Sequence, residues 1–222
     1  MQAGDNSTDL SYTGPAAITL AGGYIRDQYL TNADLTLPVP GLNNSLSFND
    51  QMVVDTLGPS VTSIFATELD GVTPKPDATY SDGATMSIVI NFTEPLAIGV
   101  SPPQITLNSS RVVNCIIHPG NSSALKCDYT VTAGDNSADL DAAATTSLVA
   151  GTFLQDLYFN NANRTLPTPG ALNSISDDQA IVITSNPAFD GPVYDIAFSR
   201  KYPGKMYVVG AFTKYGLDVS PG

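Results

Sequence analysis

The sequence predicts an all-β chain of tandem β-sandwiches. Short runs alternate β-branched and polar residues, turn formers separate the runs, and a long stretch of sequence returns at a nearly constant offset. Several short strands within about 125 residues, with Pro and Gly between them, fit a sandwich better than an α/β fold. No long helical period competes with that reading.

The expected elements follow in chain order. Met52 to Asp55 and Val61 to Ile64 read as strands on either side of the junction Asp55-Thr56-Leu57-Gly58-Pro59. Met86-Ser87-Ile88-Val89-Ile90-Asn91-Phe92 is the strongest strand signal. Val112–Ile117 and Ala124–Val131 form two arms of a hairpin around a longer turn, His118-Pro119-Gly120-Asn121-Ser122-Ser123. The Ala-rich stretch Asp141–Thr146 is expected to make one helical turn, and Ala180–Thr184 a short strand. Ser185-Asn186-Pro187 closes that segment. Links this short, containing Pro, are stiff, so stacked sandwiches would make a rod.

The repeat sets the domain organisation. Ala3-Gly4-Asp5-Asn6-Ser7-Thr8-Asp9-Leu10 returns as Ala133-Gly134-Asp135-Asn136-Ser137-Ala138-Asp139-Leu140, an offset of 130. Thr36-Leu37-Pro38-Val39-Pro40-Gly41 returns as Thr165-Leu166-Pro167-Thr168-Pro169-Gly170, an offset of 129, and Asp50-Gln51 as Asp178-Gln179, an offset of 128. That drift implies two small deletions in the second copy. Met1 aligns with Val131, inside a repeat. Residues 1–58 are therefore expected to be the C-terminal half of one sandwich and 59–187 a complete sandwich, with 188–222 starting a different domain.

Composition narrows the chemistry. The net charge is −12, and only 14% of residues are charged. Such a chain has no basic footprint for nucleic acid or for an anionic membrane surface. No apolar run is long enough to span a bilayer. One histidine, His118, and two cysteines leave little room for a zinc site or a catalytic triad. His118 sits in the hairpin turn and is expected to be structural. Glu68, Asp70, Asp82 and Glu94 are the carboxylates outside the repeat that would have to flank a glycosidic bond in a hydrolase. No P-loop, nucleophile elbow or dinucleotide fingerprint accompanies them. The expectation is that the chain is not an enzyme.

Cys115 and Cys127 stand opposite each other when the hairpin is pivoted on Asn121. Two readings remain open at this point: a cross-strand disulfide, which needs an oxidising compartment, or two buried thiols.

The Ala133–Leu140 motif, the Asp156…Asn161-Ala162-Asn163 segment and Thr165-Leu166-Pro167 together resemble the bacterial immunoglobulin-like, flagellar-system-associated repeat of giant surface adhesins. The resemblance covers residues 1–184. It implies immunoglobulin-like β-sandwiches, an extracellular or cell-surface location, and a spacer or stalk role next to neighbouring repeats. It also implies calcium at the junctions, since related repeats carry an acidic loop and a linker aspartate there. Calcium takes six to eight oxygen ligands. The candidates are Asp27, Asn32 and Asp55, with Asp34 nearby, and in the second copy Asp156 and Asn161. Gln28-Tyr29-Leu30-Thr31-Asn32 departs from the loop pattern of the resemblance, and the second linker has no aspartate. The bland reading of these residues is as turn formers.

The tail, Gly191-Pro192-Val193-Tyr194-Asp195-Ile196-Ala197-Phe198 and Gly204–Thr213, is similar to one blade of a bacterial β-propeller. An alternative function is direct binding of a surface glycan or protein receptor, for which Tyr24, Tyr29, Tyr158 and Phe159 are the aromatic candidates.

Overall fold

The computed structural model of the chain describes residue 2 and residues 4–185, 193–198 and 206–210. The chain is mostly β and divides into two compact units, Met1–Gly58 and Pro59–Gly222.

The first unit has two very short strands, β1 (Asn6–Ser7) and β2 (Val54–Asp55), paired antiparallel as Asn6↔Asp55 and Ser7↔Val54. Turns fill the residues between them, along with one helical turn, α1 (Leu46–Asn49). Ser45 precedes that turn in extended backbone, and its Oγ accepts from Gly41 N–H at 3.1 Å. The Asp50 N–H closes the turn on Leu46 O.

The second unit holds the core. Its strands are β3 (Val61–Thr67), β4 (Ala78–Tyr80), β5 (Thr85–Phe92), β6 (Ala97–Ile98), β7 (Gln104–Thr106), β8 (Val112–His118) and β9 (Asn121–Thr130). Then come β10 (Asn136–Ser137), β11 (Leu148–Val149), β12 (Leu154–Gln155), the helical turn α2 (Ile175–Asp178) and β13 (Ile181–Thr184). Six strands form one antiparallel sheet in the order β11-β7-β8-β9-β5-β3. A second sheet has the order β10-β13-β4, with β13 and β4 parallel.

Period-two alternation explains which side chains meet. Met86, Ile88, Ile90 and Phe92 of β5 face the same cluster as Val113 and Cys115 of β8 and Leu125, Cys127 and Tyr129 of β9. Ile181 and Ile183 of β13 join that cluster from the smaller sheet. One core thus lies under two sheets. Truncating Ile88 or Ile90, both fully buried, to Ala would cost about 2–5 kcal/mol.

Three expectations need correction. The hairpin turn is tighter than expected: pairing continues to His118↔Asn121, leaving Pro119 and Gly120 at the tip, and a bulge between Ile117 and His118 absorbs the difference. Asp141–Thr146 is not helical. Asp141 accepts from Ala142 N–H, Gly170 N–H and Ser176, and Ala142 bridges Leu107, so the segment runs as a bridge followed by bends and a turn instead of a helix. The helical turns are α1 and α2. Their closing bonds, Asp50 N–H to Leu46 O and Gln179 N–H to Ile175 O, match Asp50 with Gln179. The offset there is 129, and the Asp-Gln match at 128 is coincidental.

In the tail, β14 (Val193–Phe198) and β15 (Met206–Gly210) pair antiparallel, with Ile196 opposite Val208. Asn186-Pro187 of the expected link lies outside the described residues. So do Gly191-Pro192, Gly204-Lys205 and Ala211-Phe212-Thr213 of the blade-like motif.

Candidate functional site

The two cysteines form a disulfide, Cys115–Cys127, with both residues fully buried. They are direct Cα partners on β8 and β9. The Cys115 N–H is turned the other way, to Pro103 O at 2.8 Å, so the bridge spans a pair that exchanges no backbone hydrogen bonds, where side chains lie closest. The alternative of two free thiols is thereby excluded.

The acidic turns are built alike in both units. Asp27 Oδ1 accepts from Tyr29 N–H at 2.8 Å and Thr31 N–H at 2.9 Å. Asp156 Oδ1 accepts from Tyr158 N–H at 2.7 Å and Asn160 N–H at 2.8 Å. Each carboxylate closes a turn that carries a non-glycine residue at positive φ, Leu30 in one and Phe159 in the other. Their surroundings differ. Asp27 is exposed, whereas Asp156 is buried and takes a further bond from Asn160 Nδ2 at 2.7 Å. Asn32 Oδ1 accepts from Arg26 Nε–H at 2.7 Å, and Arg26 stacks on Tyr24. Asp34 is held below the usual carboxylate range by the Thr36 N–H it accepts. Asp55 lies on β2 and accepts from Leu57 N–H. Asn161 bridges Gln155.

In the sequence Glu94 stood only among the carboxylates outside the repeat. In the second unit its carboxylate comes within 4.8 Å of that of Asp156. The segment just before Glu94 is pinned, with Thr93 N–H on Ser60 O and Ser60 N–H on Thr93 Oγ1, both at 3.0 Å. The two carboxylates are 62 positions apart in sequence, and no local pattern signals their meeting.

A second polar centre also escaped the sequence. Asp135, the aspartate of the repeated motif, is buried and faces Arg111, with Nη2 at 2.6 Å and Nε at 3.2 Å. Thr132 N–H (2.9 Å) and the Tyr129 hydroxyl (3.1 Å) donate to its other oxygen. Arg111 Nη2 also bonds Thr132 Oγ1. Burial pushes the Asp135 carboxyl up, but the Arg111, Thr132 and Tyr129 hydrogen bonds outweigh it and hold the group below its ordinary value. Burial, reinforced by the Asp135 charge, pushes the Tyr129 hydroxyl up to about 12. Every donor to Asp135 is accounted for by packing.

The remaining candidates have structural partners. His118 is buried, with Nε2 3.1 Å from Gly71 O and Nδ1 accepting from Gly120 N–H at 3.0 Å. The ring ties the hairpin tip to the 68–73 turn. Glu68 pairs with Lys75 at 2.7 Å. Asp70 receives Thr73 Oγ1 and the N–H groups of Val72 and Thr73, which lower it to about 2. Asp82 lines a cleft of about 470 Å³ with Thr79, Ser81 and Thr184, and among the described residues no second carboxylate lines it. A cleft of about 310 Å³ is lined by Thr145, Leu148, Arg164 and neighbours, with no nucleophile–base pair among the described residues.

No family model, curated protein or solved structure matches the chain. Among the described residues, no helix is long and apolar enough to cross a membrane.

Proposed function

We propose that the chain is a spacer segment of a large extracellular or cell-surface, adhesin-like protein. In this reading, tandem immunoglobulin-like β-sandwich repeats lead into a β-propeller, and the work is structural rather than catalytic. The observation that carries it is the recurrence of one hydrogen-bond frame. Leu10 N–H meets Met52 O at 2.7 Å, and Leu140 N–H meets Ile181 O at 2.7 Å. Asn6 pairs with Asp55 as Asn136 pairs with Thr184. Ala33 N–H bonds Ile25 O as Ala162 N–H bonds Leu154 O. A frame reused within one chain is the signature of an array of structural modules. The buried disulfide supports an oxidising compartment.

A binding module is the second reading. Exposed Tyr158 and Phe159, the latter held at φ 70°, favour it, because aromatic side chains displayed on a fixed turn suit sugar or protein contact. A glycan array probed with the full chain separates the two. The spacer reading expects no saturable binding. Saturable binding that disappears in Tyr158→Ala or Phe159→Ala overturns it.

Calcium belongs to the same proposal. Glu94 and Asp156 supply a carboxylate pair in the second unit, while Asp27, Asn32 and Asp55 belong to the first. The donor set fits a hard cation in kind, and Asn160 can turn its amide to offer oxygen. Calcium that binds only the folded chain at 100 times its dissociation constant adds about 2.7 kcal/mol. The expected result is a melting midpoint that rises in millimolar calcium, returns with EDTA, and no longer responds in Glu94→Gln. Testing Asp27→Ala, Asn32→Ala, Asp55→Ala and Asn161→Ala shows which other residues take part. No rise in the intact chain returns the acidic loops to turn formers.

A further inference from the structure

We propose that the first unit is an acceptor half whose apolar face is completed by a half-sandwich of the kind formed by residues 59–130. This rests on the tandem-repeat reading above. The occupant is a segment of that strand pattern joined ahead of the first unit, in the order the second unit shows, where the half 59–130 precedes the half 131–185.

Burial is the first ground. Positions that occupy the same place in the shared frame are core in one unit and solvent-facing in the other. Leu140 is 0% exposed and Leu10 is 39% exposed. Leu154 is 2% exposed and Ile25 is 52%. Ile181 is 0% exposed and Met52 is 38%. In the second unit these side chains are covered by the six-stranded sheet, five of whose strands come from residues 59–130.

Charge complementarity is the second. Gln2 N–H bonds Asp5 as Thr132 N–H bonds Asp135, so the motif turn is the same. Asp135 receives Arg111 and the Tyr129 hydroxyl, and both come from the covering half. Among the described residues Asp5 has no basic partner.

Steric fit is the third. A Cβ on Gly151 would lie 2.2 Å from Ser101 O and 2.4 Å from Pro102 O, backbone of the covering half. The matching Gly22 has open space around it, although it keeps the same positive φ. Both positions need glycine for their positive φ; what differs is the space beside it, filled by backbone 101–102 at Gly151 and open at Gly22.

A second copy of the chain does not meet this need, because its residues 59–130 are already covered by its own residues 131–185.

The test inserts a duplicate of residues 59–130 directly ahead of Met1 of the full chain, which preserves the offset aligning Met1 with Val131. Amide hydrogen exchange is compared with the unextended chain. In the unextended chain, the amides of Leu10, Ala33 and Asp50 should exchange fast while those of β5 and β9 are protected. The insertion should slow the first set by about a thousandfold or more. It should also add a second disulfide by mass and lower binding of a hydrophobic dye. Leu10→Ala should then matter only in the extended chain, raising first-unit exchange at least tenfold.

First-unit amides that stay fast while β5 and β9 remain protected overturn the proposal, whether or not the second disulfide forms. First-unit protection already present in an unextended dimer also overturns it. The glycan array decides the spacer reading independently: new protection together with glycan binding would sink that reading and leave this one standing.

Discussion

Reducing Cys115–Cys127 should destabilise the second unit by about 3 kcal/mol. The bridge closes a loop with a sequence separation of 12. Chain entropy for a loop that size amounts to roughly 9–10 cal/mol/K, or about 3 kcal/mol at room temperature. Reduction keeps both sulfurs in place, so no cavity opens and the comparison isolates the cross-link. Both cysteines are fully buried, so reductant reaches them only through opening of the β8–β9 hairpin. The assay is an equilibrium urea titration of oxidised protein beside protein that was unfolded, reduced and refolded in reductant. Tyrosine near-UV circular dichroism, to which Tyr129 in the core contributes, reports on the second unit. With a urea slope of about 2 kcal/mol/M, the midpoint should fall by about 1.5 M. Midpoints agreeing within about 0.3 M would refute the loop-entropy argument. They would mean that the hairpin holds its two arms together in the unfolded chain without the bond.

Arg111→Met should cost about 3 kcal/mol, because it strands the buried Asp135 carboxylate. The folded Asp135 value lies below its unfolded one, so its contribution is present above about pH 4 and is lost as pH falls through the folded value. Acid titration of stability in wild type and Arg111→Met should show that loss only in wild type. Tyr129 has the opposite sign: its folded value is raised to about 12 against an ordinary 10. Its stabilisation is therefore complete below pH 10 and should fall by about 2 kcal/mol on going to pH 12, a loss absent in Tyr129→Phe when both are followed by urea titration. Gly151→Ala should unfold or grossly destabilise the second unit, whereas Gly22→Ala should cost only about 1 kcal/mol, the strain of a side chain at positive φ. Equal costs from calorimetry of the two variants would contradict the steric account.

What was legible in the sequence is what repeats locally. The runs at β5, β8, β9 and β13 were legible as strands; burial alternates along β8 and β13, whereas β5 is buried almost throughout. The cysteine register was read correctly although the turn was not. The bulge at Ile117/His118 shifts the ladder at the tip without disturbing Cys115↔Cys127, so an error in the turn did not propagate. Four-residue helical turns carry too few residues to show a helical period, and α1 and α2 went unread. The Ala-rich stretch suggested a helix through propensity alone, and the hydrogen bonds of Asp141 overrode it. Partners far apart in sequence left no signal at all. Arg111 lies 24 residues from Asp135 and outside any motif. Glu94 was one of four carboxylates outside the repeat until the fold brought Asp156 beside it.

The parallel pairing of β13 with β4 has a mechanical meaning. Ile181, Val182 and Ile183 align with Ala78, Thr79 and Tyr80, the two strands running the same way. A pull on Thr184 directed along β13 loads that row of pairs together, as a lap joint bears load, instead of peeling them apart one at a time. Tension applied at Thr184 along β13 thus meets a shear clamp in the Ile181–Ile183 row.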